Sequence, residues 1–174
     1  GKALGELGLV HSDVKHYGVK ESVFPFYFFP EVDPILGPEM RSTGEVLGLA
    51  DTFGMAFYKA QDAAKSTLPT AGTVLLSICE RDRGESVATV AVKLVEMGFT
   101  LVASEGTHAF LSEKGIASES IRKVHEGRPN IDDAITDEKI QLVINTPSGK
   151  LSATDDSYIR KSSIRYKVPY ITTI

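Results

Sequence analysis

The sequence of 174 residues has no tryptophan, a single cysteine and no excess of basic residues. Cys79 has no partner for an internal disulfide, which suits a reducing compartment and predicts a cytoplasmic protein. Its apolar neighbours favour an inert thiol in the core. The net charge of −4 argues against nucleic-acid binding, which needs a basic face. No run approaches the roughly 20 apolar residues of a membrane span, and no signal peptide opens the sequence, so we expect no membrane partner.

The motifs of several enzyme classes are also missing. There is no G-x-G-x-x-G after a strand and no G-x-x-x-x-G-K-[ST], which removes support for dinucleotide and P-loop sites. No cysteine and histidine cluster has metal-ligand spacing, and no G-x-S-x-G is present. The sequence therefore predicts no metal site and no catalytic residues in this chain.

The first part of the chain, residues 1–67, has irregular patterning. Residues 2–9 predict a short helix, and residues 52–64 a longer one with Asp51 or Thr52 as N-cap. Residues 21–29 predict an extended segment with bulky side chains on both faces, which needs cover on both sides. No other segment here can supply that cover. The first part is therefore interpreted as the tail of a larger domain.

The second part, residues 71–174, alternates regularly between strand and helix patterns. The predicted strands are 73–78, 99–103, 121–124, 141–145 and 170–174, and the predicted helices are 85–97, 107–114, 131–135 and 157–166. Gly98 and Gly115 end two of these helices. Such alternation predicts an α/β fold with a parallel sheet and right-handed crossovers.

Three loops at the carboxyl ends of these strands carry anion-suited residues. Residues 103–107 and 145–150 are rich in hydroxyls and glycine, and residues 123–129 and Arg83 add cations. In a parallel sheet these loops meet at one edge, where ligands bind. Hydroxyls and free N–H groups at a helix start suit a phosphate or carboxylate. Simple helix capping would also explain the hydroxyls.

Two stretches of this region resemble a known family. Residues 123–131 (KVHEGRPNI) followed by residues 142–149 (LVINTPSG) are similar to the signature of the methylglyoxal-synthase-like domain. That domain closes the large chain in the carbamoyl-phosphate synthase family. Residues 32–46 (VDPILGPEMRSTGEV) are similar to the second ATP-grasp unit of the same family.

The resemblance implies a domain at 71–174 with a five-stranded parallel Rossmann-like sheet that binds allosteric effectors. It also implies that residues 1–67 are the end of an ATP-grasp domain. The effectors would be uridine monophosphate (UMP), inosine monophosphate (IMP) and ornithine. The full enzyme would be an ATP-dependent ligase, using Mg or Mn, that serves pyrimidine and arginine biosynthesis. Its partners would be the rest of the large subunit and a glutaminase small subunit, with homo-oligomers as a further expectation. This chain alone would be non-catalytic and hold no cofactor.

The same resemblance implies two sets of site residues. The nucleotide set is Ser77, Arg83, Ser104, Thr107, Lys123, Asn145 and Pro147, in which Ser104, Thr107 and Lys123 would hold the phosphate. The ornithine set is Glu21, Tyr170 and Thr172. The sequence departs from the family at Arg83 (lysine there), at Ser104 and Pro147 (threonine there) and at Ile171 (aspartate there).

Two other functions remain open at this stage. One is a free-standing methylglyoxal synthase, a lyase acting on dihydroxyacetone phosphate with carboxylates as acid and base. Asp132 and Asp133 would be its candidates, although a solvated position on the following helix is the simpler expectation. The other is an oligomerisation module, because the aromatic block at 24–29 favours association.

Overall fold

A computed structural model of the chain describes residues 1–8, 13–29, 36–146 and 153–174. Within those ranges the strands are β1 (Tyr17–Val23), β2 (Gly44–Ala50), β3 (Thr73–Ser77), β4 (Thr100–Ser104), β5 (Glu119–Ile121), β6 (Leu142–Asn145) and β7 (Tyr170–Ile171). The α-helices are α1 (Phe53–Ala63), α2 (Glu85–Glu96), α3 (Glu105–Glu113), α4 (Ile131–Thr136) and α5 (Ala153–Arg165). Short 3-10 helices lie at Leu4–Leu7, Phe26–Phe28, Glu80–Asp82 and Val124–Glu126.

The second part of the chain forms a five-stranded sheet in the order β5-β4-β3-β6-β7, with every neighbouring pair parallel. This confirms the predicted α/β fold. The chain moves outward from β3 to β5 and then returns to the other side of β3. The strand order therefore reverses between β3 and β6. In open parallel sheets, ligands bind at the carboxyl ends of the strands beside such a reversal.

The sheet is covered on both faces, as its apolar strands require. On one face, Val74 and Leu76 of β3 belong to a core that includes Val87 of α2 and Leu111 of α3. On the other face, Leu75 packs in a second core formed mainly by the following residues: Ile131, Ile135, Ile140, Val143 and Ile159. Because successive side chains of a strand point to opposite faces, one short strand serves both cores.

The structure changes some predicted boundaries in this part. α3 begins at Glu105, two residues earlier than expected, so the 103–107 loop is largely its first turn. The strand predicted at 121–124 is β5, which ends at Ile121, and Val124 belongs to a 3-10 helix. The last strand, β7, ends at Ile171. Gly98 and Gly115 follow α2 and α3 with φ of 89° and 72°, the left-handed conformation expected of a glycine after a helix.

The first part is a β-hairpin with a helix on one face, and here the sequence-based expectations were partly wrong. β1 and β2 pair antiparallel, and α1 approaches β2 so closely that a Cβ on Gly48 would lie 2.0 Å from the carbonyl oxygen of Ala56. The α1 helix and its N-cap are confirmed, since Thr52 Oγ1 accepts a hydrogen bond from Met55 N–H. β2 was not predicted at all.

The aromatic block also differs from the prediction of an extended segment. β1 ends at Val23, and residues Phe26–Phe28 turn into a 3-10 helix. The rings of Phe24 and Phe26 stack in parallel, with centroids 5.1 Å apart. Phe28 and Phe29 remain 67% and 57% exposed. The block is thus a compact turn with a partly apolar surface.

Candidate functional site

The carboxyl ends of the three central strands bring the first group of candidate residues together. Ser77 ends β3 and is in register with Asn145, which ends β6. Ser104 ends β4, the neighbour of β3 on its other side. All three side chains are buried. We call this edge, with the loop after β3 and the first turn of α3, the rim.

Two hydroxyls of the rim join the loop after β3 to the start of α3. Thr107 is fully buried, and its Oγ1 accepts a hydrogen bond of 2.9 Å from Ile78 N–H. Ser104 Oγ lies 3.1 Å from the same Thr107 atom. These contacts fix the shape of the rim. The phosphate role expected for both hydroxyls stays a prediction.

Arg83 adds a positive charge to the same place. Its Nε donates a hydrogen bond of 3.1 Å to Ile78 C=O, and its guanidinium lies over Gly106. A Cβ at Gly106 would be 2.7 Å from Arg83 Nη2, so a larger residue there would displace the guanidinium from this position. A helix N-terminus is itself electropositive, with N–H groups that have no partner inside the helix. A guanidinium beside it favours the binding of an anion there. The sequence did not indicate that Gly106 contacts Arg83, because the two residues are 23 positions apart in the chain.

Lys123 lies one strand further out. Ile121, the last residue of β5, is in register with Ser104, and Lys123 follows two residues later. The backbone N–H of Lys123 donates a hydrogen bond of 2.7 Å to Glu126 Oε2, which fixes the turn. The backbone of Lys123 therefore lies just beyond the carboxyl end of β5, and its phosphate role stays a prediction. Pro147 lies outside the described residues.

Asn145 is held by two partners from the end of the chain. Its Nδ2 donates to Tyr170 Oη at 2.8 Å and to Asp156 Oδ1 at 3.1 Å. Its Oδ1 is buried and, within the described ranges of the chain, has no hydrogen-bond partner. Burial raises the pKa of the Tyr170 hydroxyl above its ordinary value, although the hydrogen bond from Asn145 acts in the opposite direction. The Tyr170 hydroxyl therefore stays protonated at neutral pH.

A cluster that the sequence did not reveal closes the rim next to Arg83. Cys79 N–H donates a hydrogen bond of 2.9 Å to Thr146 Oγ1, and Cys79 Sγ donates one of 2.9 Å to Asp82 Oδ2. The hydrogen bond from the thiol lowers the pKa of the Asp82 carboxyl. Cys79 is buried, as expected of a core thiol, and it also ties the β3 loop to the end of β6.

The ornithine candidates lie at a second place, between the hairpin and the sheet. A cavity of about 520 Å³ is lined by Glu21, Ser22, Phe24, Phe26, Gln61, Ala64, Lys65, Ser66, Thr67, Ser163, Ile164, Lys167, Val168, Pro169 and Tyr170. Glu21 and Tyr170 are thus brought together. Thr172 is exposed beyond the end of β7 and is not among the lining residues.

Two helices end at this cavity. Lys65 follows the end of α1 and Lys167 the end of α5, with φ of 64° and 56°. Both lysines line the cavity. The C-terminus of a helix is electronegative, and the Glu21 carboxylate adds to that field. The lysine chains contribute the opposite sign, so the cavity offers partners to both charges of a zwitterion.

The two aspartates of the lyase alternative are engaged in the structure of α4. Asp133 Oδ2 accepts from Asn130 N–H at 3.0 Å, and Asp132 accepts a hydrogen bond from Ser162 of α5. Both lie in α4, the helix on which they were expected, and both are half-buried rather than fully solvated. They cap α4 and join it to α5.

The part of the chain that the structure describes contains neither a metal-ligand cluster nor a membrane-spanning helix. No group of three or more histidine, cysteine or acidic side chains is arranged to hold a metal ion there. In the same residues, no helix has the length and apolar character needed to span a membrane.

Comparison with known proteins identifies the family. The model of the MGS-like domain family matches residues 86–172. Over its whole length the chain is 47% identical to a carbamoyl phosphate synthase large chain of Archaeoglobus fulgidus and 50% identical to one of Myxococcus xanthus, covering 16% of each. It is also 48% identical, over 92% of its length, to the C-terminal section of that large chain in Aquifex aeolicus, of which it covers 30%. The chain therefore spans a minor part of these relatives, and it belongs to the MGS-like domain family in the form found in carbamoyl phosphate synthase large chains.

Proposed function

We propose that this chain is the effector-binding, regulatory part of a glutamine-dependent carbamoyl phosphate synthase large subunit. It binds a nucleoside monophosphate, UMP or IMP, at the rim and ornithine in the cavity between hairpin and sheet. Through these ligands it controls carbamoyl phosphate synthesis for pyrimidine and arginine production. An effector acts by binding one form of the full enzyme better than another.

The observation that carries the proposal is the guanidinium of Arg83 over Gly106. A fixed cation beside an electropositive helix start is unfavourable alone and becomes favourable when an anion binds between them. Lys123 follows β5, the strand next to β4, two residues after the residue in register with Ser104, and we propose that it adds a second cation to the bound anion. A phosphate monoester, with two negative charges and three acceptor oxygens, fits this arrangement better than a neutral ligand.

The hairpin unit supports the regulatory assignment in a second way. Its outer face leaves Leu47 and Leu49 at 60% and 45% exposure, and the relatives are much longer than this chain. We propose that the ATP-grasp body of the large subunit covers that face. The cavity between hairpin and sheet would then lie between the catalytic and regulatory parts, where a ligand acts on both.

Isothermal titration calorimetry with UMP and IMP tests the rim. We expect binding to the wild-type chain, and a loss of about tenfold or more in affinity for Arg83→Gln, because a charge-assisted hydrogen bond contributes about 1.5–3 kcal/mol. Lys93→Gln is the control, since it removes one positive charge from the exposed C-terminal turn of α2, outside the rim. The proposal fails if neither nucleotide binds at millimolar concentration, or if both variants bind equally.

A second titration with ornithine tests the cavity. Glu21→Gln is expected to weaken binding, because it removes the carboxylate that faces the ligand's ammonium group. Glu45→Gln, on the other side of the hairpin, is the control. The family aspartate is Ile171 here, so binding weaker than that of the nucleotides is expected.

An assay for carbamoyl phosphate with bicarbonate, ammonia and ATP should show no product from this chain alone.

The lyase alternative receives no support from the site. Asp132 and Asp133 are tied by hydrogen bonds within α4 and to α5, whereas an acid–base pair needs access to substrate. Release of methylglyoxal from dihydroxyacetone phosphate would revive it.

A further inference from the structure

Tyr170 belongs to two places at once. Tyr170 is one of the residues that line the cavity between hairpin and sheet, and its hydroxyl accepts a hydrogen bond of 2.8 Å from Asn145. Asn145 ends β6 at the rim, beside the reversal of strand order. One hydrogen bond therefore connects a residue of the cavity to a side chain of the rim.

The partners of Asn145 fix which way its amide faces. Nδ2 uses both of its hydrogens, one for Tyr170 Oη and one for Asp156 Oδ1. Turning the amide over would put Oδ1 against the Asp156 oxygen, and two acceptors repel each other. Asn145 can therefore present only an acceptor to a ligand.

That acceptor is buried. Asn145 is 1% exposed, and its Oδ1 has no hydrogen-bond partner among the residues that the structure describes. A buried polar atom without a partner costs free energy, and a ligand that supplies a donor removes that cost. Hydroxyls and base N–H groups of a nucleotide are donors of this kind.

We propose that Tyr170 and Asp156 are positioning residues for the rim, which hold Asn145 so that its Oδ1 accepts a hydrogen bond from the bound nucleotide. The proposal rests on the nucleotide-binding function given above and adds two residues to it. Tyr170, expected only in the ornithine site, then also sets affinity at the rim. Asp156 carries no role in either set of predicted residues.

The test compares UMP affinities of the full 174-residue chain by calorimetry. Tyr170→Phe removes one oxygen and is expected to weaken UMP binding about five-fold, because the freed amide can rotate away from its productive orientation. Tyr158→Phe, an exposed tyrosine on α5, is the matched control and should stay within about twofold of wild type. A Tyr170→Phe affinity within twofold of wild type overturns the proposal.

A double-mutant cycle separates positioning from general damage. If Tyr170 acts through Asn145, adding Tyr170→Phe to Asn145→Ala causes no further loss of UMP affinity. Additive losses overturn the proposal. Should Asn145→Ala fail to fold, the side-chain amide signal of Asn145 in NMR gives a second measure: it should shift when UMP is added to the wild type. Binding of UMP without that shift overturns the positioning role, whereas no binding of UMP to the wild type overturns the proposed nucleotide function itself.

Discussion

The hairpin unit, formed by β1, β2 and α1, and the five-stranded sheet bury their strands very differently. In β2 only Gly48 is buried, whereas four of the five residues of β3 and all of β6 are. α1 buries only Ala56 and Ala60 and leaves Phe53 60% exposed. Since burial of apolar surface is the main favourable contribution to folding, the sheet can stabilise itself and the hairpin unit cannot do so to the same degree. A chain can therefore resemble its relatives over its whole length and still differ in stability from one region to another.

Deleting residues 1–70 should have the largest effect. We expect residues 71–174 to unfold cooperatively and to be monomeric, because every buried residue of both cores lies in that range, although the deletion removes Leu68, which packs partly buried against the first core. The full chain should associate more, since it exposes Phe28, Phe29 and Leu47. Size-exclusion chromatography and thermal unfolding check this. Equal monomeric behaviour of both proteins would contradict the comparison, as would failure of the shorter one to fold.

Shortening one leucine in each region gives the next largest difference. Leu75 of β3 is fully buried, and Leu75→Ala should lower the free energy of unfolding by about 3–4 kcal/mol through lost contacts and a cavity. Leu47 of β2 is 60% exposed, and Leu47→Ala should change it by less than about 0.5 kcal/mol. Urea unfolding measures both. A large loss at Leu47 would mean that the outer face of the hairpin is covered in solution.

Two glycines of β2 test the one tight contact of the hairpin unit. A Cβ at Gly48 would lie 2.0 Å from Ala56 O and 2.7 Å from Ala60 N, and the backbone of α1 cannot move aside cheaply. Gly48→Ala should therefore destabilise the unit by about 2–3 kcal/mol. Gly44→Ala meets nothing within 4 Å and should be neutral or slightly stabilising. Hydrogen exchange should show the loss in β1 and β2 while β3 and β6 stay protected; equal loss in all four strands would show that the regions unfold together.

The two regions also differ in how far their sequences predicted them. In the second part, the apolar periods and the stop glycines Gly98 and Gly115 predicted every strand and α-helix, because each element follows a local pattern. The two 3-10 helices were not predicted, and α5 begins at Ala153 rather than at residue 157. β2 was missed because Gly44 and Gly48 interrupt its apolar run, and glycine disfavours a strand unless another backbone approaches closely. That approach, by α1, depends on the folded chain.

The candidate site shows the same limit. The strand pattern placed Ser104 and Asn145 at one edge, since the end of a predicted strand is a local property, and Ser77 came from the family resemblance. The sequence could not show that the Thr107 hydroxyl binds Ile78, or that Tyr170 reaches both the cavity and Asn145. Those contacts join residues 29 and 25 positions apart, and only tertiary structure determines them. The positions of the loops could therefore be predicted from the sequence, whereas the hydrogen bonds between their side chains could not.

Helix caps offer the smallest and most closely matched contrast. Asn130 is buried and its Oδ1 accepts from Asp132 N–H at 2.9 Å and from Asp133 N–H at 3.2 Å, whereas Thr52 is exposed and accepts one bond of 3.4 Å from Met55 N–H. Asn130→Ala should cost about 1.5–2 kcal/mol and Thr52→Ala about 0.5 kcal/mol, the upper and lower ends of the range for lost N-caps. Asn130→Asp keeps the cap and should recover part of the loss, which would assign it to the cap itself rather than to the packing around α4. A cap that is open to water can exchange its hydrogen bond for one to solvent, whereas a buried cap cannot. Equal losses of unfolding free energy for the two alanine variants in urea would therefore contradict the expected effect of burial.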